Sequence, residues 1–261
     1  MKLNLSRSTV LICSVYTFVI GVIMLVLSIL SLVAYECVFQ EGFASTPDSY
    51  FFHLFYYRSH HCNSFIDWSV FGLENAELLN DFIIMPEQNA IVSRTYKLTI
   101  IQIIINSLLI VVSLIAVAAV IFNIFFLTKR IAYIVLFVPY LLVLHVSVVF
   151  DFIAGTLYAD DRLRSYSVDG TMTMLEIENR NEARPFIEQI DQTFRIIAPN
   201  TMFFIFTKAM IINIINVFVL FFMVFAGWEV IDGNKLKVNK KDDSKNPENI
   251  TAATQLTQQR D

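Results

Sequence analysis

Charged side chains are scarce in this sequence, and their scarcity decides its class. Asp, Glu, Lys and Arg make up 16% of the 261 residues, whereas apolar residues make up 56% and include 24 phenylalanines. A soluble domain of this length carries about a quarter charged residues. The composition therefore excludes a soluble globular protein and indicates a membrane protein. The net charge of −4 gives no sign of a nucleic-acid partner.

Cysteine and histidine are also few, which narrows the chemistry that the chain can perform. Three cysteines are too few for a disulfide-rich scaffold. There are four histidines, and the sequence has no Gly-rich phosphate loop, no C-x-x-C pair, no G-x-S-x-G elbow and no H-E-x-x-H helix. We therefore expect neither an enzyme nor a protein that holds a cofactor.

Four long stretches without charge predict four transmembrane helices. Each stretch meets or exceeds the roughly 20 residues needed to cross a hydrocarbon core. The predicted spans are residues 9–35, 98–128, 131–157 and 201–228. The first is much longer than the apolar region of a secretory signal, so we expect it to be retained. The fold class predicted is an all-α membrane protein built on a four-helix bundle.

Basic residues cluster on one side of these spans and predict the orientation of the chain. They lie in segment 1–8, in the turn 129–130 and in the tail 229–261. The positive-inside rule places those segments in the cytosol. Loops 36–97 and 158–200 then lie outside the cell, and we expect the plasma membrane. The polar tail lacks aromatic residues and is predicted to be disordered.

Small and polar residues recur at alternating three- and four-residue steps within the spans, and this spacing predicts the helix contacts. In lipid, small residues allow close backbone approach and amides hydrogen-bond between helices, which favours a left-handed bundle with crossing angles of about +20°. The larger polar residues expected at these interfaces are Gln102, Asn106, Asn123, His145, Asn213 and Asn216. A pore lined by the same amides is the alternative.

The third span also contains a carboxylate, Asp151. An unpaired charge buried in the membrane is expensive, so a partner is expected. The third and fourth spans run in opposite directions, which brings Lys208 to a similar depth near the outer face. We predict a salt bridge between Asp151 and Lys208; an ion or proton pathway is the alternative.

The first outer loop carries two cysteines and many aromatic residues. Cys37 and Cys62 are the only cysteines expected in the oxidising compartment, so we predict that they form a disulfide. A metal site built from His53, His60, His61 and Cys62 is less favoured because the spacing is irregular. Exposed aromatic residues would suit a partner-binding surface. The candidates for that surface are Tyr50, Phe51, Phe52, Phe55, Tyr56, Tyr57 and Trp68.

Two further outer segments show helical patterns. Residues 72–82 alternate acidic and apolar faces, and residues 184–197 place an apolar stripe along one helix, with Pro185 suited to its first turn. The stripe consists of Phe186, Ile190, Phe194 and Ile197. We expect the two loops to pack together into a small extracellular cap.

This plan resembles four-pass proteins of the claudin and peripheral-myelin-protein type. The shared features are cytosolic termini, a long first outer loop, a tiny turn between the second and third helices, and a shorter second outer loop. Trp68 is followed by Gly72 and Leu73, but Glu74 stands where the family's first-loop signature has its second tryptophan, and no cysteine follows. The resemblance implies a role in adhesion.

Two functions therefore remain open. The first is an accessory, adhesion or scaffold protein whose outer loops bind another membrane protein or a second copy of the chain. The second is a channel or transporter subunit with a polar path through the second to fourth spans. Polar residues satisfied inside one bundle would support the first function, and polar residues facing outward would support the second.

Overall fold

A computed structural model describes residues 2–36, 51, 53–57, 69, 89–121, 130–207 and 211–225 of this protein. These residues are overwhelmingly helical and include no β-strand. A single π-helical turn covers His53–Tyr57. The α-helices are α1 (Lys2–Tyr35), α2 (Ala90–Ile121), α3 (Arg130–Ser165), α4 (Val168–Met174), α5 (Arg180–Gln189), α6 (Gln192–Phe206) and α7 (residues 211–225).

Four helices are long and apolar enough to cross a membrane. The candidate spans are Ser8–Tyr35, Ala90–Ile121, Val138–Ser165 and Gln192–Phe225, the last formed by α6 and α7. Their mean hydropathies are 2.8, 2.8, 1.9 and 2.2. The shortest has 28 residues, or about 42 Å of helix, which exceeds a hydrocarbon core of about 30 Å. The predicted multi-pass membrane protein with four spanning helices is confirmed.

The helices extend beyond the predicted spans at one end of the bundle. α2 begins at Ala90 and includes Arg94 and Lys97, and α3 continues past Asp160 and Asp161 to Ser165. The prediction stopped at charged residues because it measured apolar length. A helix can continue through such residues wherever their charges are paired or exposed.

The second predicted outer helix is divided in two. α5 ends at Gln189, Ile190 is extended, and Asp191 begins α6 by accepting a hydrogen bond from the Thr193 amide over 2.7 Å. Pro185 therefore lies inside α5 and not in its first turn. The four stripe residues are apolar, but they do not lie along one helix, because the Asp191 carboxylate caps a new helix between Ile190 and Phe194. The predicted helix at 72–82 lies outside the described residues.

The long helices pack in antiparallel order. Thr17 on α1 faces Ser113 on α2, and further along Ser31 faces Thr99, with hydroxyl oxygens 3.0 and 3.3 Å apart. α3 packs against both α2 and α6. We call the end that contains the start of α2, the end of α3, α4, α5 and the start of α6 the loop end.

Apolar side chains cover the outer faces of the long helices. Aliphatic residues and phenylalanines dominate the exposed positions, as expected where a surface meets lipid. Examples with at least half of the side chain exposed are Ile12, Ile104, Leu142, Phe152, Ile211 and Phe218. Two buried apolar clusters fill the interior, one at the loop end and one towards the opposite end.

Candidate functional site

A partly buried ion pair joins α2 to α3 at the loop end. Arg94 projects from the second turn of α2 and forms a salt bridge with Asp161 near the end of α3. Asp161 is only 1% exposed. The Arg94 guanidinium also lies over the Tyr158 ring, 5.5 Å from its centroid, and the Tyr56 hydroxyl donates to the Asp161 carboxylate over 3.4 Å. Such partners compensate for the removal of a carboxylate from water.

The α4–α5 junction is attached to the first turn of α2. Asn89 accepts hydrogen bonds from the Ile91 and Val92 amides, and its own amide donates to the Met174 carbonyl over 2.8 Å. The Ala90 amide donates to the Glu176 carboxylate over 3.0 Å. The first backbone amides of α2 have no partner within the helix. They donate instead to the N-cap residue Asn89 and to Glu176 in the α4–α5 junction.

Glu176 adopts a backbone conformation that normally favours glycine. Its φ is 54°, in the left-handed region. The amides of Glu176 and Ile177 bond to the carbonyls of Thr173 and Met172, which is the Schellman pattern that ends a helix. A glutamate here costs about 1 kcal/mol more than a glycine, and in return its carboxylate reaches α2.

A polar pocket lies beside this ion pair. Its volume is about 670 Å³ and it opens at the loop end. Its charged side chains come from α2, α3, the α4–α5 junction and α5. They are Arg94, Asp160, Asp161, Arg164, Glu176, Glu178 and Arg180. Arg164 and Asp160 pair over 2.9 Å, while Glu178 and Arg180 are exposed at the rim. We call this cavity the loop-end pocket.

Sequence reasoning missed this pocket. The sequence prediction places Arg94 in loop 36–97 and Asp160 and Asp161 in loop 158–200, and it assigns no role to them. The sequence does contain a signal for this contact: a basic residue lies just before the second apolar run, and acidic residues lie just after the third. In antiparallel neighbours those positions meet at one end of the bundle.

Four of the seven aromatic candidates for partner binding are buried in the structure, so these four do not form the exposed surface that was predicted. Phe51 and Phe55 stack 5.2 Å apart, and Tyr56 meets Tyr158 edge to face at 5.6 Å. The described candidates are at most 8% exposed: Phe51, Phe55, Tyr56 and Tyr57. These rings gain more by packing under the loop end than by facing water. Burial also raises the pKa of the Tyr56 and Tyr57 hydroxyls.

The remaining aromatic candidates lie outside the described residues; they are Tyr50, Phe52 and Trp68. So do both cysteines of the predicted disulfide, Cys37 and Cys62, and the candidate metal ligands His60 and His61. These expectations stay predictions. Cys13 is buried and unpaired within α1. Among the described residues, no group of His, Cys, Asp or Glu side chains could hold a metal ion.

The amides predicted at helix interfaces lie mostly inside the bundle. Those buried are Gln102, Asn106, Asn213 and Asn216. Asn213 donates to the Thr207 carbonyl over 3.0 Å, whereas Asn123 lies outside the described residues. The central polar contact joins three helices, with the Thr17 hydroxyl 3.0 Å from Ser113 and 2.8 Å from the Tyr140 hydroxyl.

His145 departs from the interface prediction. It is exposed, whereas its neighbours Leu144, Ser147 and Asp151 on α3 are buried. Each residue turns the helix by about 100°, so one step beyond Leu144 carries the imidazole off the buried stripe. Asp151 is 1% exposed, but Lys208 lies outside the described residues and their pairing stays a prediction.

Comparisons with known protein families, with curated proteins and with solved structures gave no match to this chain. The resemblance to four-pass proteins of the claudin type therefore stays a prediction.

Proposed function

We propose that this protein is a non-enzymatic, four-pass accessory, adhesion or scaffold subunit of the plasma membrane. It binds another membrane protein, or a second copy of the chain, through its loop end. The loop-end pocket is the main observation behind this proposal. It is concave, bears both signs of charge and is formed by side chains from α2 to α5.

The distribution of basic residues supports an extracellular loop end. The lysines and arginines of segments 1–8, 129–130 and 229–261 belong to the opposite end of a four-span chain. Both termini then lie in the cytosol. The pocket, α4 and α5 form the extracellular cap expected from the two outer loops, above a left-handed bundle.

The packing of the bundle interior favours a binding protein over a conducting one. Tyr140 is fully buried between α1, α2 and α3, and Tyr158 stacks on Phe206 with ring centroids 4.6 Å apart. These two tyrosine rings fill the interior of the bundle near both of its ends. The channel or transporter alternative draws its support from the buried Asp151 and from amides such as that of Asn106, whose Nδ2 has no hydrogen-bond partner.

The pocket rim indicates the chemistry of the partner. The acids Asp160 and Asp161 already pair with arginines, and Glu176 bonds to the start of α2. The exposed Glu178 and Arg180 are the charged rim residues that a partner can meet first. A segment that carries one acid and one base in close succession is complementary to them.

A photo-crosslinker at Thr173, which lines the pocket, tests this proposal in native membranes. We expect a discrete adduct that is lost in Arg180→Glu, because reversing one rim charge places like charges together. Arg184→Glu is the matched control, since Arg184 lies on the same helix, is exposed and does not line the pocket.

Two results would contradict the proposal. One is an adduct that survives Arg180→Glu as well as it survives Arg184→Glu. The other is solute or ion flux through the purified protein in liposomes that Asp151→Asn abolishes while the protein stays folded. That second result would favour the transporter alternative.

A further inference from the structure

A second cavity lies between α1, α2 and α6, at membrane depth, and it is separate from the loop-end pocket. Its volume is about 150 Å³. The residues around it are mostly apolar, with a polar group on one side. They include Leu27, Leu30, Ser31, Tyr57, Thr99 and Gln102. We call it the lateral groove.

The lateral groove opens towards the surface that the bilayer covers. Leu27 and Leu30 on its α1 side are 40% and 48% exposed, within the candidate span Ser8–Tyr35. The neighbouring exposed residues of α1 are aliphatic as well. Lipid is therefore the medium in contact with this opening.

The polar side of the groove is largely satisfied by its own hydrogen bonds. The Ser31 hydroxyl lies 3.0 Å from that of Tyr57 and 3.3 Å from that of Thr99. Ser28 donates to the Met24 carbonyl over 2.7 Å. These side chains have partners without any ligand.

Gln102 is the exception. The residue is 4% exposed, and its Nε2 has no hydrogen-bond partner. An amide group left without a partner in an apolar setting is destabilising, and in a membrane no bulk water can reach it. Gln102 lines the groove, and the terminal torsion of glutamine is soft, so rotation about that bond can turn an N–H towards the groove. The missing partner is a hydrogen-bond acceptor.

We propose that the lateral groove binds a glycerolipid of the surrounding bilayer. The upper part of one acyl chain lies against the apolar side, and an ester carbonyl oxygen accepts a hydrogen bond from Gln102. A carbonyl is a pure acceptor, which is the group that Gln102 lacks. A cavity of about 150 Å³ lined by apolar side chains is large enough for an apolar guest.

The depth of Gln102 agrees with an ester linkage. Tyr35 and Tyr96 have ring centroids 4.5 Å apart near the loop end, and Lys97 is exposed beside them. Such residues favour the membrane interface. Gln102 lies about 7 Å further along the helix than Lys97, which is close to the boundary between headgroups and chains.

The test compares an ester lipid with its ether analogue. Delipidated protein in detergent is titrated with palmitoyl-oleoyl phosphatidylcholine, or with the diether lipid that has the same headgroup and chain lengths but no carbonyl, and bound lipid is counted by native mass spectrometry. We expect the wild-type protein to bind the ester lipid about threefold to tenfold more tightly, as one hydrogen bond provides. Gln102→Leu should lose that preference.

Two tryptophan variants locate the site. Leu30→Trp fills the groove and should abolish the high-affinity lipid, whereas Leu114→Trp on α2 should retain it. Leu114 is 49% exposed, nearly the same as Leu30, but does not line the groove. Equal binding of ester and ether lipids by the wild-type protein would overturn the proposal, and so would equal lipid retention by the two tryptophan variants. Both readouts are independent of the proposed partner binding.

Discussion

At the scale of single residues, two side chains at the loop end depart from their usual preferences. Asp161 is a carboxylate with almost no exposure, and Glu176 occupies a left-handed conformation. Each departure is compensated by a specific contact, with Arg94 in one case and with the Ala90 amide in the other. The contributions of these contacts to stability can be measured separately.

The first prediction concerns the buried ion pair. Arg94→Met should lower the free energy of unfolding by about 3 kcal/mol, because Asp161 stays buried without its cation. Combining it with Asp161→Leu should recover much of that loss. Arg164→Met is the control: its pair with Asp160 is about half exposed, so the loss should stay below about 1 kcal/mol. Thermal unfolding in detergent measures Arg94→Met, Asp161→Leu, their combination and Arg164→Met. Strictly additive losses at Arg94 and Asp161 would contradict the coupling.

The second prediction separates strain from hydrogen bonding at Glu176. Both Glu176→Gly and Glu176→Ala lose the bond to the Ala90 amide, but only glycine relieves the left-handed conformation. Glu176→Gly should therefore be more stable than Glu176→Ala by about 1 kcal/mol. Glu178 has no such conformation, so glycine should give no advantage over alanine there. An alanine variant at 176 as stable as the glycine variant would contradict the assignment of strain.

At the scale of helices, the direction of each short helix at the loop end depends on the residues at which it begins. Only two residues separate α3 from α4, and only two separate α5 from α6. Such sharp changes of direction need a side chain that caps the new helix or a residue small enough to let the backbones approach. Ser167, Gly170 and Asp191 fill these roles.

The third prediction concerns Gly170 in α4. A Cβ atom at this position would collide with the backbone carbonyl of Arg164 at the end of α3. Gly170→Ala should therefore lower the free energy of unfolding by about 3 kcal/mol, because backbone cannot move aside as a side chain can. Gly21→Ala is the milder comparison, since its Cβ would lie 3.1 Å from a side-chain carbon of Ile110. Equal losses at both positions in thermal unfolding would argue against a tight α3–α4 turn.

The fourth prediction concerns pH and the start of α6. The hydrogen bond from the Thr193 backbone amide holds the pKa of Asp191 below its usual value. The resulting stabilisation is complete above the unfolded-state pKa of about 4 and is lost as the pH falls through the lower folded-state pKa. Asp191→Asn keeps a helix cap but removes the titratable group. The melting temperature of this variant should therefore fall less than that of the wild-type protein between about pH 5 and about pH 3. An unchanged pH profile in Asp191→Asn would show that other acids control this transition.

At the scale of the whole molecule, the sequence predicted the membrane class and the number of spans but not the loop-end pocket. Uninterrupted apolar runs are a local property and mark the spans directly. The Arg94–Asp161 contact joins residues from different helices, and neither residue is unusual in its own surroundings. The same holds for the aromatic turn: composition shows that Phe55 and Tyr56 are apolar, but only the packing of α3 shows that they are covered.

The fifth prediction tests the orientation of the whole chain. Asn181→Thr creates a glycosylation sequon at Asn179, next to α5. We expect glycan at Asn179 in mammalian cells, seen as an enzyme-sensitive mobility shift, because the proposed orientation places the loop end in the secretory lumen during synthesis. The natural sequon at Asn249 is the internal control and should stay unmodified. Glycan at Asn249 alone would indicate the inverted topology, and glycan at both sites would contradict the single span, Gln192–Phe225, that is expected between them.

In the proposed topology, the early start of α2 also sets the distance of the loop-end pocket from the headgroups. From Lys97 back to Ala90 the chain adds about 10 Å of continuous helix. The pocket is therefore carried on a stiff support and does not depend on a loop for its distance from the headgroups. If the proposed partner is anchored in the same membrane, it reaches the pocket only when its own stalk has a matching length, so shortening that stalk should weaken binding even when every contact residue is kept.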